Sequence, residues 1–151
     1  MARLAIELVL TTAARRADLV KLGPGNVRNR TITFEQSKTK RRGTPTVTVP
    51  LHPDFCTALK AMPPSNIVCL TSNTTFLKTS FGQPFKTPAG FGNWFRQCCD
   101  EAGLPKGLSV HGLRKATARR LAETGCTTHQ IAAFVFLASS PSLYVACASN
   151  R

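Results

Sequence analysis

Long apolar segments are missing from this chain. No run approaches the roughly 18 consecutive apolar residues that a membrane-spanning helix needs. The short apolar stretch near Met1 is not followed by the small-residue site at which a secretory signal is cut. We therefore expect a cytoplasmic protein that is neither secreted nor embedded in a membrane.

Metal-binding patterns of cysteine are missing as well. The six cysteines are irregularly spaced, form no C-x-x-C pair and have no histidine at zinc-ligand spacing. Most of them lie in apolar stretches, where a reduced thiol packs like a small hydrophobic side chain. The sequence therefore predicts no metal site.

Acidic residues are scarce. Seven Asp and Glu stand against 20 Lys and Arg, which leaves a net charge of +13 on 151 residues. Such a strongly positive field favours nucleic acid as the partner. The charge alone is also compatible with a basic solvated surface or a ribosomal-type protein.

The periodicity of apolar residues predicts one mixed, mainly helical α+β domain. Alternating β-branched residues around Val27, Ile32, Phe34, Val47 and Val49 predict a small three-stranded antiparallel sheet at one edge. A brief strand is expected over 67–70, and 71–88 has the polar composition of an exposed loop. Thr11 and Thr12 are expected to interrupt the first helix, which is predicted over 2–10. Further helices are expected over 15–22, 54–61, 89–102, 110–124 and 127–136.

Three separated segments carry the informative residues. Thr12–Leu19 reads T-A-A-R-R-A-D-L, Ser37–Lys40 reads S-K-T-K, and His111–Lys115 reads H-G-L-R-K. In that order they resemble the T-G-x-R-x-S-E-L segment, the K-T turn and the H-x-L-R box of the tyrosine recombinase and phage integrase family. Each match alone is common in proteins, so the resemblance rests on the order and spacing of the three segments.

The resemblance extends between these segments. Phe81–Phe85 and 91–105, with its E-A-G-L-P turn, also look like the family, so that the similarity covers about 2–133. It implies that 1–151 is an integrase-type catalytic domain with a divergent tail over 134–151. It also implies that the N-terminal core-binding domain of a complete recombinase is absent.

The family's chemistry assigns roles to matching residues. The resemblance implies that Arg15 and Arg114 clamp the scissile phosphate of double-stranded DNA and that His111 acts as general acid and base. Lys38 would protonate the leaving 5′ oxygen, and a tyrosine would form a covalent 3′-phosphotyrosine link. No metal or nucleotide cofactor is needed, and further recombinase protomers on the DNA would be partners.

Other basic residues are expected to contact the DNA backbone. The hairpin offers two lysines, and either Lys38 or Lys40 would enter the catalytic site. The expected DNA-binding residues are Arg16, Lys40, Arg41, Arg42 and Lys115.

The C-terminal part departs from the family pattern. The expected G-H or G-W pair is missing beyond Ala133. Tyr144, the only tyrosine, lies close to the place of the nucleophile, and it is either a displaced nucleophile or a coincidence. The resemblance therefore implies recombination or integration in a bacterial or mobile-element context, impaired in this chain. A catalytically inactive DNA-binding remnant, a type IB topoisomerase and an RNA-binding protein are the alternatives.

Overall fold

Helices and a small sheet share one core in the computed structural model, which describes residues 1–36, 46–62, 74–132 and 134–135. The mainly helical α+β class predicted from the sequence is confirmed. The described helices are α1 (Ala2–Thr12), α2 (Arg16–Leu19), α3 (Pro53–Lys60), α4 (Pro88–Glu101), α5 (Val110–Glu123) and α6 (Thr128–Ala132), and the strands are β1 (Val27–Arg28), β2 (Thr31–Glu35) and β3 (Thr46–Pro50).

The sheet is antiparallel with the order β1-β2-β3, as the alternation of β-branched residues predicts. Ile32 pairs with Val49 and Phe34 with Val47, and all four side chains are buried. The residues between them point to the exposed face, since side chains alternate along a strand. The brief strand predicted over 67–70 lies outside the described residues.

Helix α1 occupies the centre of the core and packs against α3 and α5. Its buried side chains include Leu4, Leu8 and Val9. The predicted interruption at Thr11 and Thr12 is wrong, because the helix continues through both residues. The Thr12 hydroxyl donates to the Leu8 carbonyl at 2.6 Å, which satisfies this polar group inside the helix.

Aromatic side chains anchor α4 to the core. Phe91 and Phe95 are buried, and Trp94 packs partly buried against them, because their helical spacing places all three on one face. Phe85 contacts Phe91 edge-on, with ring centroids 5.4 Å apart. Helix α4 is thereby fixed in orientation, and its opposite face, with Arg96, is exposed.

The segment before α4 differs from the expected exposed loop. Phe76, Leu77 and Phe85 are buried, so part of 71–88 belongs to the core. The Phe76 amide donates to the Leu22 carbonyl at 2.8 Å, which ties this segment to the end of the α2 region. Polar composition concealed the burial, because irregular backbone shows no apolar periodicity.

The remaining helices differ from prediction mainly at their ends. The second helix is shorter than expected, and the last one begins at Thr128. Cys56, Cys98 and Cys99 are free, as reduced thiols were expected to be, whereas Cys126 is disulfide-bonded. No helix in the described ranges is long and apolar enough to cross a membrane.

The turn after α1 has an unusual backbone. Ala13 adopts a left-handed conformation with φ 45° and closes the helix by donating its amide to the Val9 carbonyl at 2.8 Å. A residue with a Cβ is disfavoured there, and glycine, which the family pattern has at this position, is not. Ala14, its neighbour, is equally buried and is not among the residues with positive φ.

We predict that Ala13→Gly gives a more stable chain than Ala14→Gly. Both substitutions remove a buried methyl group and add the same backbone freedom, but only the first relieves a left-handed alanine, which is worth about 1–2 kcal/mol. Urea unfolding of the two variants measures the difference in free energy. Equal stabilities would contradict a left-handed backbone at Ala13.

Candidate active site

The turn between α1 and α2 positions Arg15. The Thr12 hydroxyl accepts a hydrogen bond from the Ala14 amide at 3.2 Å, and the left-handed Ala13 turns the chain. Arg15 then caps α2, with its carbonyl accepting the amides of Asp18 and Leu19 at 2.8 and 2.9 Å. The backbone of Arg15 is thus fixed by local hydrogen bonds before its side chain reaches the site.

Helix α5 carries His111 and Arg114 on one side, because residues three apart lie on the same helix face. Ser109 caps this helix by accepting the Gly112 amide at 3.3 Å. His111 is exposed, whereas Arg114 is only 8% exposed. The Arg114 guanidinium donates to the Val135 carbonyl, which connects α5 to the turn that follows α6.

Charge is concentrated where Arg15 and Arg114 meet. Burial lowers the pKa of the Arg114 guanidinium, and the positive charge of Arg15 lowers it further. The Asp18 carboxylate, 2% exposed, acts in the opposite direction and raises that pKa. Two cations and one buried carboxylate therefore share this part of the molecule.

The site has an unused hydrogen-bond donor. The Nη1 atom of Arg15 is buried and has no hydrogen-bond partner among the described residues. A buried charged donor without an acceptor is costly, and an anion with several oxygens would satisfy it. The arrangement therefore favours a phosphate or a similar anion over a neutral ligand.

These groups open into one cleft of about 600 Å³. It brings together four of the residues predicted from the sequence, Arg15, Arg16, His111 and Arg114. Lys115 is exposed on α5 and does not line the cleft. Among the described residues, the lining is Ala14, Arg15, Arg16, Gly92, Arg96, Ser109, Val110, His111 and Arg114.

Sequence reasoning missed Arg96, which reaches the cleft from α4. Its only signal was its charge, which an ordinary solvated helix face shares. Asp18 is buried, and its carboxylate raises the pKa of Arg114. The remaining predicted site residues, Lys38, Lys40, Arg41, Arg42 and Tyr144, lie outside the described residues.

Comparison with known families finds one match over most of the chain. The sequence model of the phage integrase family matches residues 1–136, which include every described residue. Comparison with curated proteins finds no match.

Solved structures with the same fold are similar to this chain at low sequence identity. XerA recombinase gives a TM-score of 0.67 at 20% identity, covering 95% of this chain and 50% of that one. The lambda integrase catalytic core gives 0.64 at 21% identity, covering 89% and 78%. The Tn1549 transposon integrase, in complex with a circular intermediate DNA, gives 0.63 at 20% identity, covering 95% and 52%. The chain spans about half the length of the Tn1549 and XerA chains.

We predict that sulfate stabilises the folded chain through the cleft. An anion that binds only the folded state raises Tm by about 2–4 °C for each kcal/mol by which its binding stabilises a folded protein of this size. Differential scanning fluorimetry in sodium sulfate, against sodium chloride at equal ionic strength, measures the shift.

The matched comparison is Arg15→Gln against Arg3→Gln, an exposed arginine of α1 outside the cleft lining. The sulfate shift should shrink in the first variant and persist in the second. An equal shift in both variants would mean that sulfate acts elsewhere.

Proposed function

Because the chain belongs to the phage integrase family, we propose that it cuts and rejoins double-stranded DNA in site-specific recombination. The observation that carries the proposal is the shared cleft of Arg15, His111 and Arg114. Two arginines and a histidine from two separate sequence boxes meet there around a space with an unused donor. Structures of relatives in complex with DNA support the same partner.

The arginines would bind the scissile phosphodiester. In-line attack on phosphorus spreads negative charge over the non-bridging oxygens, and preorganised cations stabilise that charge without moving. A guanidinium offers a planar fork of donors that matches two phosphate oxygens. The buried Nη1 of Arg15 has no partner among the described residues, and the Asp18 carboxylate partly offsets the lowering of the Arg114 pKa by burial and by Arg15.

His111 would transfer protons at the same phosphate. It lies one turn before Arg114, so that a single helix delivers a charge clamp and an acid–base group. Its exposed ring is accessible to a bound strand, whereas the buried Arg114 guanidinium is held by its hydrogen bond to the Val135 carbonyl.

Two further groups complete the reaction. The hydroxyl oxygen of a tyrosine, for which Tyr144 is the only residue in the chain, attacks phosphorus and forms the phosphotyrosine bond, while His111 takes up the hydroxyl proton. The bond from phosphorus to the 5′ oxygen breaks, and Lys38 or Lys40 donates a proton to that oxygen. The reverse steps rejoin a strand. Arg16, Arg41, Arg42 and Lys115 would hold the surrounding backbone phosphates.

A second candidate function is DNA binding without cleavage. The sequence observation that favours it is the missing G-H or G-W pair before the expected tyrosine. We propose that cleavage is slow for this reason, because a proton-transfer or positioning group of the family is not replaced. Both candidates keep the arginine cleft, and they differ in whether a covalent adduct forms.

We predict a covalent protein–DNA adduct on a nicked suicide duplex, seen on a denaturing gel. A library of duplexes with randomised centres removes the need to know the target site. Tyr144→Phe and Arg114→Ala should both abolish the adduct, because one removes the nucleophile and the other the charge clamp. Retained duplex binding without any adduct would favour the DNA-binding function, and relaxation of supercoils without site preference would favour a topoisomerase.

We predict that His111→Gln slows adduct formation by about 10²- to 10⁴-fold, the usual contribution of a general acid or base. Because His111 is exposed, the variant should unfold at the same urea concentration as the unchanged chain. Single-turnover kinetics measure the rate, and binding to intact duplex serves as control. An unchanged rate would remove His111 from the chemistry, and tighter binding to folded RNA than to duplex would contradict the proposed partner.

A further inference from the structure

The cleft extends beyond Arg15 and Arg114 to a second pair of arginines. Arg16 follows Arg15 directly and is exposed, and its side chain lies across α4 at Gly92. A Cβ placed on Gly92 would stand 2.6 Å from Nη1 and 3.2 Å from Cδ of Arg16. Only glycine therefore leaves room for the guanidinium in this position.

Arg96 lies one helical turn after Gly92 on α4, and it lines the same cleft. Residues four apart lie on one helix face, so the Arg96 side chain starts beside the guanidinium of Arg16. Both side chains are exposed to the space in which a strand would lie.

Neither arginine is neutralised within the described part of the chain. The ion pairs there join His52 to Asp54 and Arg119 to Glu123. Asp100, one turn beyond Arg96, forms no ion pair with it, and Glu101 accepts a hydrogen bond from Gln97. Two adjacent cations without an acidic partner make a strong site for a second anion.

We infer that Arg16 and Arg96, placed side by side by Gly92, form a second phosphate site that binds the DNA backbone next to the scissile phosphate. The inference rests on the proposed function and extends it to Arg96, which lies outside the sequence boxes, and to its pairing with Arg16. Arg15 and Arg114 bind the phosphate that reacts, while Arg16 and Arg96 bind its neighbour and fix the register of the strand in the cleft.

The first test measures how duplex affinity depends on salt. Each backbone phosphate contact contributes about 0.9 to the slope of log K against log salt concentration, because it releases a bound counterion. Arg96→Gln should make this negative slope less steep by about 0.9. Arg3→Gln, which removes the same charge from an exposed helix position, should leave the slope unchanged.

The second test uses Gly92→Ala. The added methyl group shifts the Arg16 guanidinium from its place beside Arg96, so duplex affinity should fall, by less than in Arg16→Gln because the charge is kept. Alanine is the better helix former, so the thermal midpoint should stay or rise, which separates this loss from misfolding. In the Arg16→Gln background, Gly92→Ala should have no further effect on affinity, because the contact that it disturbs is already gone.

The outcomes distinguish this inference from the proposed function. If the unchanged chain binds duplex but Arg96→Gln has the slope of Arg3→Gln, the second phosphate site is wrong and the proposed function stands. Equal affinity losses from Gly92→Ala with and without Arg16 would also overturn it. An unchanged chain that binds no duplex would overturn both.

Discussion

The juxtaposition of Arg15 and Arg114 is the constraint on which the site depends. Two guanidinium groups repel each other, and burial of Arg114 removes the water that would screen them. Asp18 offsets part of this cost from within the core, and the Val135 carbonyl accepts one donor. The rest is offset by packing, since α5 is held against the buried face of α1. The cleft attracts anions because the fold keeps its cations together.

Local backbone geometry achieves this placement within a few residues. Thr12 uses one hydroxyl twice, as donor to Leu8 and as acceptor from Ala14, and so continues the helix and starts the turn. The left-handed Ala13 then brings Arg15 to the start of a new helix, whose first turn also supplies Asp18. One short segment thereby delivers a cation and its counter-charge, and α5 supplies the second cation from a distant part of the sequence.

Sequence reasoning identified the residues whose neighbours form a motif. Arg15, His111 and Arg114 stand in boxes with characteristic spacing, and the structure brings them together. Arg96 has no such neighbours, because its place depends on the packing of α4, which periodicity predicts only as a buried aromatic face. Phe76 and Leu77 were missed for a related reason, since an irregular segment enters the core through tertiary contacts. The interruption predicted at Thr11 and Thr12 was wrong because the helix continues through both, and the Thr12 hydroxyl donates to a carbonyl of the preceding turn.

The contact between Arg114 and Val135 also explains how a change in the tail would affect the cleft. A guanidinium has five donors, so a bond to the Val135 carbonyl leaves others for a phosphate. The phage integrase match ends at residue 136, directly after this contact, so it includes the first residues of the stretch 134–151 that the sequence alone predicts to be divergent. The cleft and its described contacts therefore lie within the matched residues, and Val135 contacts the cleft through Arg114, one of the two arginines that we propose to bind the phosphate. A change that displaces the Val135 carbonyl would remove an acceptor of the buried Arg114 guanidinium.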